Sequence, residues 1–200
     1  MRKAFLLLSL FVCIIARAQE TKSKHKFDVE NLFVGGSISV GLDGFGSGFF
    51  AGIHPHVGYT LAKWIDAGIA LNFEYSSVKD SYNNKYHNTT YGIGTFVRIY
   101  PVNFLFIQAE PEFNTVALKY IPDQGDIQRL TLHPTSLLLG IGYVTERDDK
   151  NTFSYFSLLI DVLKDPNSPY IDANGNFIPI IRGGLNIGIR KKHKVRRRVE

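Results

Sequence analysis

Run after run of this chain places an apolar residue at every second position, the period of a β-strand whose two faces meet different surroundings. In the first run Val34, Gly36, Ile38, Val40 and Leu42 oppose Gly35, Ser37, Ser39 and Gly41. In the second, Phe49, Ala51, Ile53, Pro55, Val57, Tyr59 and Leu61 oppose Phe50, Gly52, His54, His56, Gly58 and Thr60. The third sets Ile65, Ala67, Ile69, Leu71, Phe73 and Tyr75 against Asp66, Gly68, Ala70, Asn72, Glu74 and Ser76. The fourth sets Tyr91, Ile93, Thr95, Val97 and Ile99 against Gly92, Gly94, Phe96, Arg98 and Tyr100. Four noisier runs follow. Leu105, Ile107, Ala109, Pro111 and Phe113 face away from Phe104, Phe106, Gln108, Glu110 and Glu112, and Leu137, Leu139, Ile141 and Tyr143 from Ser136, Leu138, Gly140 and Gly142. Phe156, Leu158, Ile160 and Val162 face away from Tyr155, Ser157, Leu159 and Asp161, and the run from Ile181 to Ile189 from Arg182, Gly184, Asn186, Gly188 and Arg190.

Eight such strands are the number that closes the smallest transmembrane barrel. The expected fold is all-β, an eight-stranded antiparallel up-and-down transmembrane β-barrel over residues 31–190. A soluble, lipocalin-like ligand-binding barrel also alternates, with its apolar face inward. The second face decides between them, because Asp66, Glu74, Arg98, Gln108, Glu110, Glu112, Asp161, Arg182 and Asn186 share it with many glycines. Loop parity points the same way. Connections at 43–48, 77–89, 114–134 and 164–177 alternate with shorter ones at 62–64, 101–103 and 145–151, as in barrels with long extracellular loops and tight periplasmic turns. Phe49, Phe73, Tyr75, Tyr91 and Phe113 then fall at one lipid interface, and Tyr59, Trp64 and Tyr143 at the other, where aromatic girdles belong. Pro55 and Pro111 lie inside strands and each removes a ladder donor, so bulges or bends are expected there.

Composition fits this picture: hydrophobic residues make up 44%, aromatics 13% and charged residues 20%, with 18 Gly. The net charge of +5 is a matter of the two ends. Arg2, Lys3 and Arg17 stand at the start, and Lys191, Lys192, Lys194, Arg196, Arg197 and Arg198 crowd the tail at 191–200. The body between them holds more acidic than basic residues, which argues against nucleic-acid binding. Met1-Arg2-Lys3, the apolar stretch from Ala4 to Ile15 and Ala16-Arg17-Ala18 have the form of a cleaved signal peptide over 1–18, with 19–30 as a periplasmic lead-in. The apolar stretch is too short to span a bilayer as a helix. Cys13 after Leu10-Phe11-Val12 loosely matches a lipid-attachment box, but Val12 is branched where a small residue is needed. Once the signal is removed, the chain has no cysteine and no thiol chemistry.

An eight-stranded barrel is just wide enough to be filled by its own side chains. Asp66, Glu74, Arg98, Glu110, Glu112, Asp161 and Arg182 are the candidates, and buried charges must pair, so a salt-bridge network centred on Arg98 and Arg182 is expected. That makes the lumen a structural plug. The competing roles are a proton or ion pathway, and a narrow conduit for small solutes or hydrophobic molecules.

The segments Gly52-Ile53-His54-Pro55-His56-Val57-Gly58-Tyr59, Thr95-Phe96-Val97-Arg98-Ile99-Tyr100-Pro101 and Phe104-Leu105-Phe106-Ile107-Gln108-Ala109-Glu110 resemble the small outer-membrane β-barrel (porin-family) proteins, in the style of the OmpX- and OmpW-like barrels. The resemblance covers roughly 31–190 and rests on strand patterns, with no catalytic signature. It implies residence among outer-membrane lipids of a Gram-negative-type envelope and insertion by the barrel-assembly machinery. Such barrels end on an aromatic residue, whereas this last strand ends Ile187-Gly188-Ile189-Arg190.

Other chemistry is thin. His54 and His56 share one strand face and are the candidates for a metal, without a third ligand fixed by spacing. His133 and Ser136 are a pair to check against lipid-modifying barrels, but they have opposite side-chain parity, so no enzyme and no cofactor are expected. The stretch Gly41–Gly48 lacks the Lys-Ser/Thr of a phosphate loop. The basic tail suits anionic headgroups or an acidic partner. Loops 77–89, 114–134 and 164–177 would carry any adhesion or ligand contact, and the protein is expected to be a monomer.

Overall fold

The alternating runs become hydrogen-bonded strands in the computed structural model, which describes residues 28–43, 48–145, 152–171 and 175–189. The strands are β1 (Leu32–Asp43), β2 (Gly48–Ala62), β3 (Ile65–Lys79), β4 (Lys85–Val102), β5 (Leu105–Ile121), β6 (Gln128–Leu132), β7 (Thr135–Val144), β8 (Phe153–Asp161) and β9 (Ile180–Gly188). Each step β1–β2–β3–β4–β5–β7–β8–β9 is antiparallel, and β9 pairs back onto β1, so the sheet closes into an eight-stave barrel. Within the ring, closure leaves no bare edge to satisfy. Followed once around the ring, the registers stagger by about ten residues, which for eight strands corresponds to a tilt of roughly 43°. The expected signal peptide at 1–18, most of the 19–30 segment and the basic tail 191–200 lie outside the described residues.

β6 is not a ninth stave. It pairs with β5 from Val116↔Leu132 to Tyr120↔Gln128, and β7 resumes in the same register at Phe113↔Thr135. Between them the Pro134 carbonyl accepts from the Asn114 amide at 3.1 Å. Pro134, which has no N–H, therefore interrupts the donors of one continuous strand.

That continuity corrects two of the expected loops. β3 and β4 remain paired to Lys79↔Lys85, and β5 and β6 to Tyr120↔Gln128, so 77–89 and 114–134 shrink to connections at 80–84 and 122–127. Beyond Tyr75 and Thr115 their outward positions include Ser77, Lys79, His87, Lys119 and Arg129, which ends the apolar period without ending the strand. The two hairpin tips are tied together. Asn83 donates to Asp123, the Asp123 amide donates to Asn84 Oδ1 at 3.0 Å, and the Tyr86 and Tyr120 rings meet at 5.0 Å. The result is a raised four-stranded blade.

The prolines also behave differently from expectation. Pairing of β2 with β3 lapses beside Pro55, and of β4 with β5 beside Pro111, yet each ladder resumes in the same register with no bulge. Each proline keeps register with its other neighbour, Gly36 or Leu137. The register shifts fall instead at Thr60/Ala62 and Ile99/Val102, where the chain enters tight turns.

Polarity is the reverse of a soluble barrel's. Ile38 is 60% exposed, Ile69 55% and Ile141 61%, whereas Asp66 is 0%, Glu112 1% and Arg98 3% exposed. Phe104, grouped with the inward set from its parity, points outward because it sits on the turn, and its ring lies 6.4 Å from that of Tyr143. Phe49, Phe73, Tyr75, Tyr91 and Phe113 line the outer wall toward the hairpin end, and Trp64 and Tyr143 toward the turn end. Trp64 and Phe73 are separated by roughly 30 Å of strand, which a tilt near 40° reduces to about 23 Å, the height of a lipid-facing band. Tyr59 is partly covered, with its hydroxyl accepting from the Asp28 amide at 3.2 Å and holding the short 3-10 turn Val29–Asn31 against the wall.

Candidate functional site

The inward face of eight strands converges on one lumen, filled in three levels. Nearest the tight turns lies an aromatic floor in which Tyr100, Phe106, Val144, Phe153 and Tyr155 are buried together. Tyr100 and Phe106 rings lie 5.7 Å apart, and Phe106 meets Tyr155 edge-on at 6.0 Å. Phe33, Ala70 and Phe96 form the facing half. The inward glycines give these rings room: a Cβ on Gly58 would stand 2.2 Å from Phe33 Cζ, and one on Gly142 only 2.1 Å from Phe106 Cζ. The glycines of the polar face are thus the other half of the large aromatics, large and small side chains alternating across the bore.

The middle level is ionic. Arg182 of β9 spans two carboxylates of β5, with Nη1 3.2 Å from both Glu110 oxygens and Nη2 3.1 Å from Glu112 Oε1. Glu110 and Glu112 are two residues apart, so strand periodicity puts both on the inward face.

Arg98 is held in another way. Its guanidinium lies over the rings of Tyr155 at 4.4 Å, Phe96 at 4.8 Å and Phe106 at 5.2 Å, and its Nε donates to Gln108 Oε1 at 2.8 Å. Gln108 in turn donates to Glu110. The expected network centred on two arginines is therefore centred on one, with Arg98 joined through an amide and caged by aromatic faces. The remaining three carboxylates of the expected set have other hydrogen-bond partners. Asp66 accepts from Thr60 Oγ1 at 2.8 Å, at the turn end. Glu74 accepts from Ser39 Oγ at 3.4 Å. Asp161 accepts from the Leu137 and Leu163 amides at 3.0 and 3.1 Å and from Ser168 Oγ at 2.7 Å, anchoring a loop.

That loop is the third level, and periodicity had placed it elsewhere. The segment between β8 and β9, expected as an extracellular loop at 164–177, sends its described residues 168–171 into the hairpin end of the bore. Ser168 is 5% and Tyr170 2% exposed, and Tyr170 packs with Leu138, Leu159 and Ile180. The Tyr170 hydroxyl donates to Glu112 Oε2 at 3.0 Å and accepts from Asn72 Nδ2 at 2.9 Å. Asn114 Nδ2 donates to the same Glu112 oxygen at 3.0 Å. Between floor and lid, bounded by His54, His56, Arg98, Glu110 and Arg182, lies a void of about 10 Å³ for the centre of a water molecule. A site that size holds one water at most.

The histidine candidates belong to the lumen wall. His54 Nε2 shares a hydrogen bond with Ser39 Oγ at 3.0 Å, and His56 Nε2 donates to Asn186 Oδ1 at 2.8 Å. Among the described residues no group of three His, Cys, Asp or Glu is placed to hold a metal ion. Ser136 is buried against Ser168 at 3.1 Å, while His133 faces outward and bonds Thr115 at 3.2 Å, so that pair is separated by the barrel wall. Outside the bilayer, Asp80 closes the β3–β4 tip. The Asn84 side chain at 2.8 Å, with the Asn84 and Tyr82 amides, holds its carboxyl below the usual aspartate range.

A closed antiparallel ring, charged within and apolar without, with a lipid-height band edged by aromatics, defines a small membrane β-barrel. No family model matches the chain, and no curated protein does. Among solved structures it is similar to the N-terminal β-barrel domain of Pseudomonas aeruginosa OprF, 15% identical at a TM-score of 0.45, over 78% of this chain and 98% of that one. It is also similar to the translocator domain of the autotransporter NalP from Neisseria meningitidis, 10% identical at a TM-score of 0.42, over 94% of this chain and 98% of that one. The class rests on the closed ladder and the polarity of its two faces, not on these likenesses.

Proposed function

We propose that the protein resides in the outer membrane of a Gram-negative-type envelope as a closed barrel with a structural or surface-interaction role and no catalysis. It would arrive as an exported chain with a cleaved signal peptide and be inserted by the barrel-assembly machinery. The observation that carries this reading is the filled bore: an aromatic floor, the Arg182–Glu110–Glu112 cluster and the inward-reaching Tyr170, with a void about the size of one water between floor and lid. A solute pathway needs a continuous wet channel, and small barrels packed with their own side chains lack one. What the protein offers its surroundings is then the raised blade of β3–β6, held stiff by the Asn83–Asp123 and Tyr86–Tyr120 contacts.

Two measurements test the two halves. Unboiled protein from the outer-membrane fraction should run at a different gel mobility from boiled protein, and a soluble, heat-insensitive chain would overturn the membrane assignment. Reconstituted into a planar bilayer, the folded protein should give no resolvable unitary current. Regular single-channel steps would overturn the closed-barrel reading and favour the conduit.

A further inference from the structure

On the outer face of the blade, like charges stand directly opposite one another. Lys119 of β5 pairs across to Arg129 of β6, and Lys79 of β3 to Lys85 of β4. His87 lies directly across from Lys119. Opposed like charges destabilise a sheet unless an anion lies between them. The described outer face supplies none: the outward positions 75–79, 85–91, 115–121 and 129–133 hold no Asp or Glu, and neither Lys119 nor Arg129 has a carboxylate within ion-pair distance among the described residues.

The cations edge a built groove. Its floor is the row Thr89, Ala117 and Thr131, small side chains paired across three strands. One wall is Tyr75 stacked on His87, rings 6.0 Å apart at 19°, with the Tyr75 hydroxyl and His87 Nδ1 sharing a hydrogen bond of 2.8 Å. The other wall is Lys119 and Arg129. Below the floor the same face continues into Tyr91 and Phe113 and then the apolar band. His87 is four residues beyond Tyr91, about 13 Å along the strand and roughly 10 Å along the bilayer normal at the expected tilt. Long Lys and Arg side chains reach the headgroup layer from that height, with acyl chains lying on the band beneath.

We infer that this groove is a binding site for the phosphate-bearing headgroup of a membrane lipid, with Lys119 and Arg129 as its cationic clamp. The inference rests on the membrane assignment above and adds to it one site and one ligand class. Lysine supplies a point charge and arginine a planar fork, a combination suited to phosphate oxygens.

The test is native mass spectrometry of the full-length folded protein in micelles, offered phosphatidic acid or diacylglycerol with identical acyl chains. Phosphatidic acid should be retained roughly tenfold or more over diacylglycerol. Lys119→Ala with Arg129→Ala should lose that preference, and the swap Lys119→Arg with Arg129→Lys should keep it. Equal retention by wild type and the double alanine variant would overturn the clamp. Displacement by inorganic phosphate at equimolar concentration would overturn the lipid source and leave a free-phosphate site. Gel mobility of the same samples separates the two levels of argument: a heat-shifted barrel without phosphate preference overturns this inference alone, and an unshifted chain overturns both.

Discussion

The hydroxyl of Tyr170, carried on the segment between β8 and β9, donates to Glu112 on the wall of β5 at 3.0 Å, joining residues 58 positions apart in the chain. The contact links the lid to the ionic level, because the same carboxylate receives Arg182 and Asn114.

Tyr170→Phe should therefore loosen the lid while leaving the barrel closed. Glu112 keeps Arg182 and Asn114, and Asn72 keeps Asn114 at 3.1 Å, so the loss is one hydrogen bond at each end, about 2–4 kcal/mol in all because one of the two goes to a carboxylate. Urea unfolding in vesicles would read that loss. Amide exchange at Ser168 and Ile171, whose own bonds close the loop turn, should rise. Unchanged exchange there would mean that Asp161 and Ser168 hold the segment without Tyr170.

The two lumen arginines should differ in kind. Arg182→Ala strips Glu110 and Glu112 of their shared cation inside the bore, and leaving buried charges unpaired costs about 3–5 kcal/mol. Adding Glu110→Gln and Glu112→Gln to that variant should recover most of the loss, since the cost lies in the stranded carboxylates. Arg98→Ala forfeits ring contacts and one amide bond, for about 2 kcal/mol, and the two Glu→Gln changes should not rescue it. Rescue of Arg98→Ala by those changes would show that its charge, and not its stacking, is what the lumen needs.

Why the chain's pattern revealed one arginine's place and not the other's is a matter of geometry. Alternation assigns each residue to a face, and it put Arg98, Arg182, Glu110 and Glu112 inside together. Which of them meet depends on the stagger between β9 and β5, staves that are not neighbours in the ring, and period two carries no information about that. The blade was hidden for a different reason. Outward Lys79, Lys85, His87 and Lys119 are polar because they stand above the lipid, so a search for apolar alternation stops where the strand does not. Tyr170 directly follows Asp165-Pro166-Asn167-Ser168-Pro169, which reads as turn chemistry. Nothing local to that segment distinguishes a loop that hangs outward from one that folds into the bore. The aromatic–glycine pairs are half legible: alternation puts both partners on the inward face, but their match across strands needs the register.

That match yields the sharpest packing test. Gly142 lies directly opposite Phe106, and a methyl group on it would stand 2.1 Å from the Phe106 ring. Phe106 cannot swing away freely, because Tyr100, Tyr155 and the Arg98 guanidinium enclose it. Gly142→Ala should cost about 1–3 kcal/mol by overpacking. Phe106→Leu alone should cost about as much by leaving space where the ring had been. Together the two should cost clearly less than their sum, since the smaller side chain vacates the volume that the new methyl enters. A double-mutant cycle read by urea unfolding of the refolded barrel supplies the coupling term. Strict additivity would show that the floor yields around Phe106, and that the inward glycines are there for something other than room.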